Sequence, residues 1–319
     1  MLDGVQQQME ADLASFDVRL QVELRSEVEL LGEISYGLIG AGGKRVRPRL
    51  ALLASYLLGA GQRAGLDVAL CVELLHSASL LHDDLIDGAD TRRGQETAYR
   101  RYGNSVSVMT GDFLLARVLK VLARAGRPTF IGLMADTAAQ MCEAEVLQYQ
   151  LAEAEQFQMN QYLRVIDGKT ALLFAAALQG VAQQVAAPLA QEVALRDFGL
   201  HYGRAFQLRD DYLDVLADPA VTGKPAGGDL REGKATYPVL LLLEAGVAEA
   251  GEILRRRAKL PDDPARMAEL IREHGTDEAT NVRITQEARL AAEALEMFPE
   301  SSAREALVAL ASAEAERTA

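Results

Sequence analysis

Apolar and polar positions along this chain follow helical spacing, and segments rich in Val, Ile, Thr and aromatics with a two-residue period are almost absent. Ala, Leu, Glu, Gln and Arg dominate nearly every stretch, and most of these are strong helix formers. The pattern predicts long helices over about 5–31, 64–88, 105–125, 129–151, 155–185 and 189–217, with shorter ones after them. Gly and Pro interrupt it at Gly40-Ala41-Gly42-Gly43, Gly59-Ala60-Gly61, Gly126-Arg127-Pro128 and between Pro219 and Gly233. Pro48 falls where a helix would begin, a place that tolerates its missing N–H. No break coincides with a shift in composition, and there is no short repeat, so residues 1–319 read as one all-α domain.

Hydrophobic residues are 49% and charged residues 25% of the 319, which is ordinary for a packed protein. The net charge of -13 argues against a general nucleic-acid binder, which needs cations to displace phosphate counterions. Cys71 and Cys142 stand alone without CxxC spacing, so neither a disulfide framework nor a zinc knuckle is indicated and a reducing cytoplasm is expected. Met1-Leu2-Asp3-Gly4 lacks the basic-then-apolar order of a signal peptide. The most apolar stretches, 171–178 and 239–243, fall short of the roughly 20 residues that span a bilayer, so no integral membrane segment is expected.

Two clusters change this picture: Asp83-Asp84-Leu85-Ile86-Asp87 and Asp210-Asp211-Tyr212-Leu213-Asp214, both DDxxD. On a helix, positions i and i+4 share a face and i+1 lies about 100° round, so each cluster projects at least two carboxylates together. One such run is commonly a solvated acidic face. Two of them, flanked by apolar pairs such as Leu80-Leu81 and Leu85-Ile86, point to hard-cation sites, with Mg²⁺ bridging carboxylate and phosphate oxygens. A calcium loop is excluded, because there is no D-x-D-x-D-G run with a distal Glu.

Cations accompany the acids. Gly42-Gly43-Lys44-Arg45-Val46-Arg47-Pro48 combines backbone freedom with phosphate-binding side chains; Arg92-Arg93-Gly94 follows the first acidic cluster, and Lys224 and Lys234 follow the second. Gly168-Lys169-Thr170 is not a nucleotide P-loop, since Leu163 occupies the position five before Gly168 where that motif needs glycine. Lys169 is expected to reach a phosphate from a helix. His76, two turns before Asp83, could donate to a phosphate, although a lone His is more often structural; His82 is expected to bond within the helix bundle, and His201 carries no signal.

Together these motifs resemble the trans-polyprenyl diphosphate synthase family from about residue 36 to 300. The resemblance rests on GGKRVRP at 42–48, ELLHSASLLHDDLIDGADTRRG at 73–94, GDFLLA at 111–116, GKT at 168–170, FQLRDDYLD at 206–214 and GKPAGGDLREGKATYP at 223–238. It implies an all-α helical bundle of the isoprenoid synthase type with a central active-site cavity. It also implies addition of isopentenyl diphosphate to an allylic diphosphate with about three Mg²⁺. By resemblance, Asp83, Asp84, Asp87, Asp210, Asp211 and Asp214 hold the metal, helped by Arg92, Lys169, Lys224 and Lys234. Lys44, Arg47, His76 and Arg93 bind isopentenyl diphosphate, while Thr170 and Gln207 line the reaction centre. Family members are usually homodimers.

Product length depends on what blocks the growing chain beneath the first acidic cluster. One turn before Asp83 stand Ala78 and Ser79, both small, and the motif lacks the two-residue insertion of many bacterial short-chain members. Heptaprenyl to nonaprenyl products are therefore expected, with a geranylgeranyl diphosphate synthase as the alternative; a deeper floor around Phe113, Ala116 and Leu119 is left open. A class I terpene cyclase would mix Asn, Ser or Thr with Glu in its second metal site, which DDYLD disfavours. A noncatalytic partner subunit would lack some of these acidic or basic elements, and all are present.

Overall fold

The first predicted helix ends early for a local reason. Ser26 accepts a hydrogen bond from the Val28 backbone N–H at 3.1 Å, an alternative to the helical ladder that short hydroxyl side chains offer. The expected 5–31 helix is therefore two, α1 (Leu2–Leu24) and α2 (Glu29–Gly40). The Arg25 carbonyl left at the break accepts from the Arg117 guanidinium. This computed structural model describes residues 2–40, 45–92, 94–217 and 226–318. Among them the only strands are β1 (Thr91–Arg92) and β2 (Gln95–Glu96), an antiparallel ribbon pairing Thr91 with Glu96 and Arg92 with Gln95.

Residue contacts group the chain into two compact units. The first comprises Met1–Ala138, Ala176–Arg196 and Phe298–Ala306. In it α4 (Gln62–Ile86) packs against α3 (Val46–Leu57) and α6 (Asn104–Ala125), with the short α5 (Ala98–Tyr102) after the ribbon. Leu70, Leu74 and Leu81 of α4, Phe16 of α1 and Leu114 of α6 are fully buried, each contributing about 1.5–3 kcal/mol of transfer free energy. Arg45, at positive φ just before α3, turns inward and donates to Glu73 at 2.6 Å and to the Ile39 carbonyl at 2.9 Å. The basic run 42–48 thus spends its middle arginine on the fold.

The second unit comprises Ala139–Ala175, Asp197–Met297 and Leu307–Ala319. It contains the later part of α7 (Pro128–Glu153), then α8 (Met159–Ile166), a π-helical turn (Asp167–Ala171), the start of α9 (Leu172–Gln184) and most of α10 (Leu189–Leu216). After these come α11 (Gly228–Arg231), α12 (Tyr237–Glu244), α13 (Ala248–Arg255), α14 (Asp263–Glu273), α15 (Thr276–Ala294) and the later part of α16 (Ser302–Glu314). Val215, Leu230, Leu242, Ile253 and Met267 form one core cluster, and Ile166, Leu208, Leu240 and Ile284 a second. Gly199 and Gly203 permit a close helix crossing. A Cβ at either would lie 2.5 Å from the Cα of Ala175 or Ala171 respectively.

The expected 155–185 helix contains an extra-residue turn, and Gly168 lies within it. At Gly168 a Cβ would fall 2.6 Å from the Ala144 Cβ and 3.0 Å from the Gln140 carbonyl. That close approach accompanies the π turn, a feature frequent at functional sites. Two helical runs, Gln62–Ile86 and Met159–Gln184, are long and apolar enough to cross a membrane by length and composition. This corrects the expectation that apolar stretches are too short. The most apolar window of each is 78% buried within the protein, so core packing accounts for their composition.

Candidate active site

Both acidic clusters lie near helix ends, the first closing α4 and the second on the last turns of α10. In each, the middle aspartate turns away from its neighbours. Asp84 is 3% exposed and accepts from Arg92 Nε at 2.7 Å, whereas Asp83 and Asp87 are half-buried. Asp211 is 4% exposed, with Tyr162 donating to its Oδ2 at 2.6 Å and Gln207 to its Oδ1 at 2.8 Å, while Asp210 and Asp214 remain half-buried. The helical period explains this: i and i+4 share the outer face, and i+1 is carried towards the core. The Asp84–Arg92 pair ties the ribbon to α4. It borders a cavity of about 150 Å³ that Leu81, Gln95, Thr97, Arg101 and Tyr102 also line.

The π turn delivers Lys169 and Thr170. Lys169 Nζ lies 2.6 Å from Glu145 Oε2 and donates to Gln148 Oε1 at 3.0 Å. Thr170 donates to Gln207 Oε1 at 2.7 Å. A chain therefore runs from Thr170 through Gln207 to Asp211 and Tyr162, joining three expected site residues to one the sequence did not disclose. Arg204 braces the start of the turn, donating twice to Asp167 at 2.6 and 2.7 Å.

After the second cluster, Asp214 accepts the backbone N–H groups of Gly228 and Asp229, both at 3.1 Å. This brings in Asp229, a further carboxylate. Burial, reinforced by neighbouring acids, pushes Asp211 up to about 7, Asp214 up to about 6 and Asp229 up to about 7. For Asp211 the opposing acid is chiefly Asp229, and for Asp229 it is Asp214. Lys234, which pairs with Glu232, and Lys169 act in the opposite direction on Asp229. Concentrated negative charge of this kind is what a bound cation relieves.

Among the described residues, no three His, Cys, Asp or Glu side chains converge as a preformed metal cage. The donor set nonetheless fits Mg²⁺, which takes hard oxygens, keeps several waters and is completed by substrate phosphate with only one or two carboxylates.

Of the other expected residues, Arg47 and His76 are half-buried on α3 and α4, and Lys44, Arg93 and Lys224 lie outside the described residues. Ala78 is buried and Ser79 half-buried, the latter's hydroxyl donating to the His76 carbonyl at 2.9 Å. Phe113 is half-buried under the Arg117 guanidinium, 4.8 Å from the ring centre, and Leu119 is exposed. His82 lies against Gly111, where a Cβ would sit 2.2 Å from its ring, and 3.4 Å from the Val108 carbonyl. His201, without signal in the sequence, pairs with the buried Glu287 at 2.7 Å. Sequence reading also missed Glu145 and Gln148. Asp229 was visible inside the quoted GGDLREGK run, whereas Tyr162 sits in an ordinary helical surround.

The family model described as polyprenyl synthetase matches residues 28–273. An octaprenyl diphosphate synthase from Haemophilus influenzae is 36% identical over 313 residues, covering 97% of this chain and 95% of that protein. A Caulobacter crescentus polyprenyl synthase, solved in complex with calcium and isoprenyl diphosphate, superposes with a TM-score of 0.93 at 36% identity, covering 100% of this chain and 98% of that one. A Rhodobacter capsulatus decaprenyl diphosphate synthase gives 0.92 at 35% identity, covering 100% of both.

Proposed function

Because the chain belongs to the polyprenyl synthetase family, we propose that it is a medium- to long-chain trans-prenyltransferase that adds isopentenyl diphosphate to an allylic diphosphate. The observation that carries this reading is the pair of DDxxD helices, each presenting its first and fifth carboxylates on one face, with Lys169 and Arg92 held beside acids. The relative from Caulobacter with calcium and isoprenyl diphosphate bound supports a divalent-metal diphosphate site on this fold. Residues 1–319 would act as one synthase domain in the cytoplasm, and as a homodimer; Met109 and Leu119 expose apolar surface on α6 that a second copy would cover.

About three Mg²⁺, held by Asp83, Asp87, Asp210 and Asp214, would neutralise charge that builds on the diphosphate as its allylic C–O bond breaks. Asp84 and Asp211, first expected to be ligands, would instead orient Arg92 and the Gln207–Thr170 pair. Lys169, Arg92, Lys224 and Lys234 bind the allylic diphosphate; Lys44, Arg47, His76 and Arg93 bind isopentenyl diphosphate. These cations interact more strongly with the leaving group than with the intact ester, which is what accelerates ionisation. Thr170 and Gln207 fix the reacting end, and apolar walls exclude water until the isopentenyl double bond attacks. The released diphosphate takes the proton that ends each cycle.

Incubation with farnesyl diphosphate, excess isopentenyl diphosphate and Mg²⁺, followed by mass spectrometry, is expected to yield heptaprenyl to nonaprenyl products, and EDTA to abolish them. A stop at geranylgeranyl would place a floor deeper in the protein; no elongation would revive the partner-subunit reading. The small pair at 78–79 makes a separate prediction: Ser79→Phe, one turn before Asp83, should shorten products by several isoprene units. Unchanged length would show that this position does not border the growing chain.

A further inference from the structure

The segment after α16 is fixed along one side of α10 by successive residues of that helix. Tyr202 donates to Glu314 Oε1 at 3.0 Å, and Arg209, 4% exposed, donates to the carbonyls of Glu314 and Ala315 at 2.8 and 2.6 Å. Buried guanidinium donors matched to two backbone carbonyls give this attachment a fixed register. Its consequence is the placement of Arg317. That side chain is stacked 4.7 Å over the Phe206 ring, donates to Glu314 Oε2 at 2.8 Å and to the Phe206 carbonyl at 3.2 Å, and ends on Asp210 Oδ1 at 2.5 Å. Its side chain is 17% exposed, against 41% for Asp210.

Resting on the assignment of Asp210 as a metal ligand, we infer that Arg317 is the resident counter-ion of that carboxylate, which a metal ion must displace when the metal-diphosphate binds. A guanidinium already seated on the carboxylate both occupies an oxygen and repels an incoming divalent cation. The second acidic cluster therefore holds its first aspartate oriented without metal, and Arg317 raises the metal concentration needed to fill it. Arg317 acts through Asp210 rather than on the substrate. Its pairing also limits repulsion among Asp210, Asp211 and Asp214 in the substrate-free protein.

The test is calorimetric titration of the full chain with Mg²⁺ in saturating inorganic diphosphate, a readout independent of turnover. Arg317→Gln should lower the half-saturating Mg²⁺ concentration by roughly two- to fivefold, the range for a partly exposed ion pair. Arg317→Lys, which keeps the charge, should remain within about twofold of the unaltered protein. Unchanged or weaker metal binding in Arg317→Gln would overturn the counter-ion role. Asp210→Asn, titrated alongside, separates the two layers. If it does not weaken Mg²⁺ binding, the assignment of Asp210 as ligand fails and the inference falls with it; if it does and Arg317→Gln does not tighten binding, the inference alone fails.

Discussion

Asp83→Ala should lower kcat by roughly 10³-fold or more, about 4 kcal/mol of transition-state stabilisation, with little change in thermal stability. The carboxylate is half-buried at the end of α4, on the outer face it shares with Asp87, so its loss opens no core cavity. On the proposed metal assignment, what disappears is a ligand whose interaction strengthens as the leaving diphosphate gains charge, and such an interaction appears in kcat rather than in ground-state binding alone. Steady-state kinetics with thermal melting beside them would check both halves. Turnover within a few fold of the parent would remove Asp83 from the metal site.

Gly203→Val should destabilise the protein by about 3 kcal/mol or more, through overpacking rather than a lost contact. Even a Cβ at this position would meet the Ala171 Cα at 2.5 Å and the Ala171 Cβ at 3.0 Å. Backbone cannot move aside as a side-chain tip can, so α10 would have to withdraw from the π turn. Thr170 precedes Ala171, and Gln207 follows Gly203 by one turn, so their 2.7 Å hydrogen bond would lengthen together with the crossing. The denaturant midpoint and kcat should therefore fall in the same variant. A fully stable, fully active Gly203→Val would mean that the crossing tolerates wider spacing.

The helical architecture was legible because helix-forming composition and helical spacing agree along nearly the whole chain. Two departures were not. Ser26 ends α1 through a bond to a residue two positions on, a choice that a window of apolar spacing does not resolve. The π turn differs from an α-helix by one inserted residue, and Gly168 shows its reason only when Ala144 is beside it. At the site, both acidic helices could be read from the sequence, and the sideways turn of Asp84 and Asp211 follows from the same 100° step. The partners of those aspartates could not all be read. Arg92 was in view eight residues away, but Tyr162 and Arg317 reach Asp211 and Asp210 across separations of 49 and 107 residues, in runs that resemble ordinary helix surface.

The inward middle aspartates make each DDxxD two devices written over one another. On the proposed assignment, the outer pair answers to ions and substrate, which come and go with every turnover. The middle residue answers to a phenol, an amide or a guanidinium that stays. Asparagine could keep the shape at Asp84 or Asp211, but not the charge that Arg92 meets or the two acceptor oxygens that Tyr162 and Gln207 use. Each motif therefore carries a memory of its own arrangement: the middle acid already holds the donors around it, Arg92 at Asp84 and Tyr162 with Gln207 at Asp211.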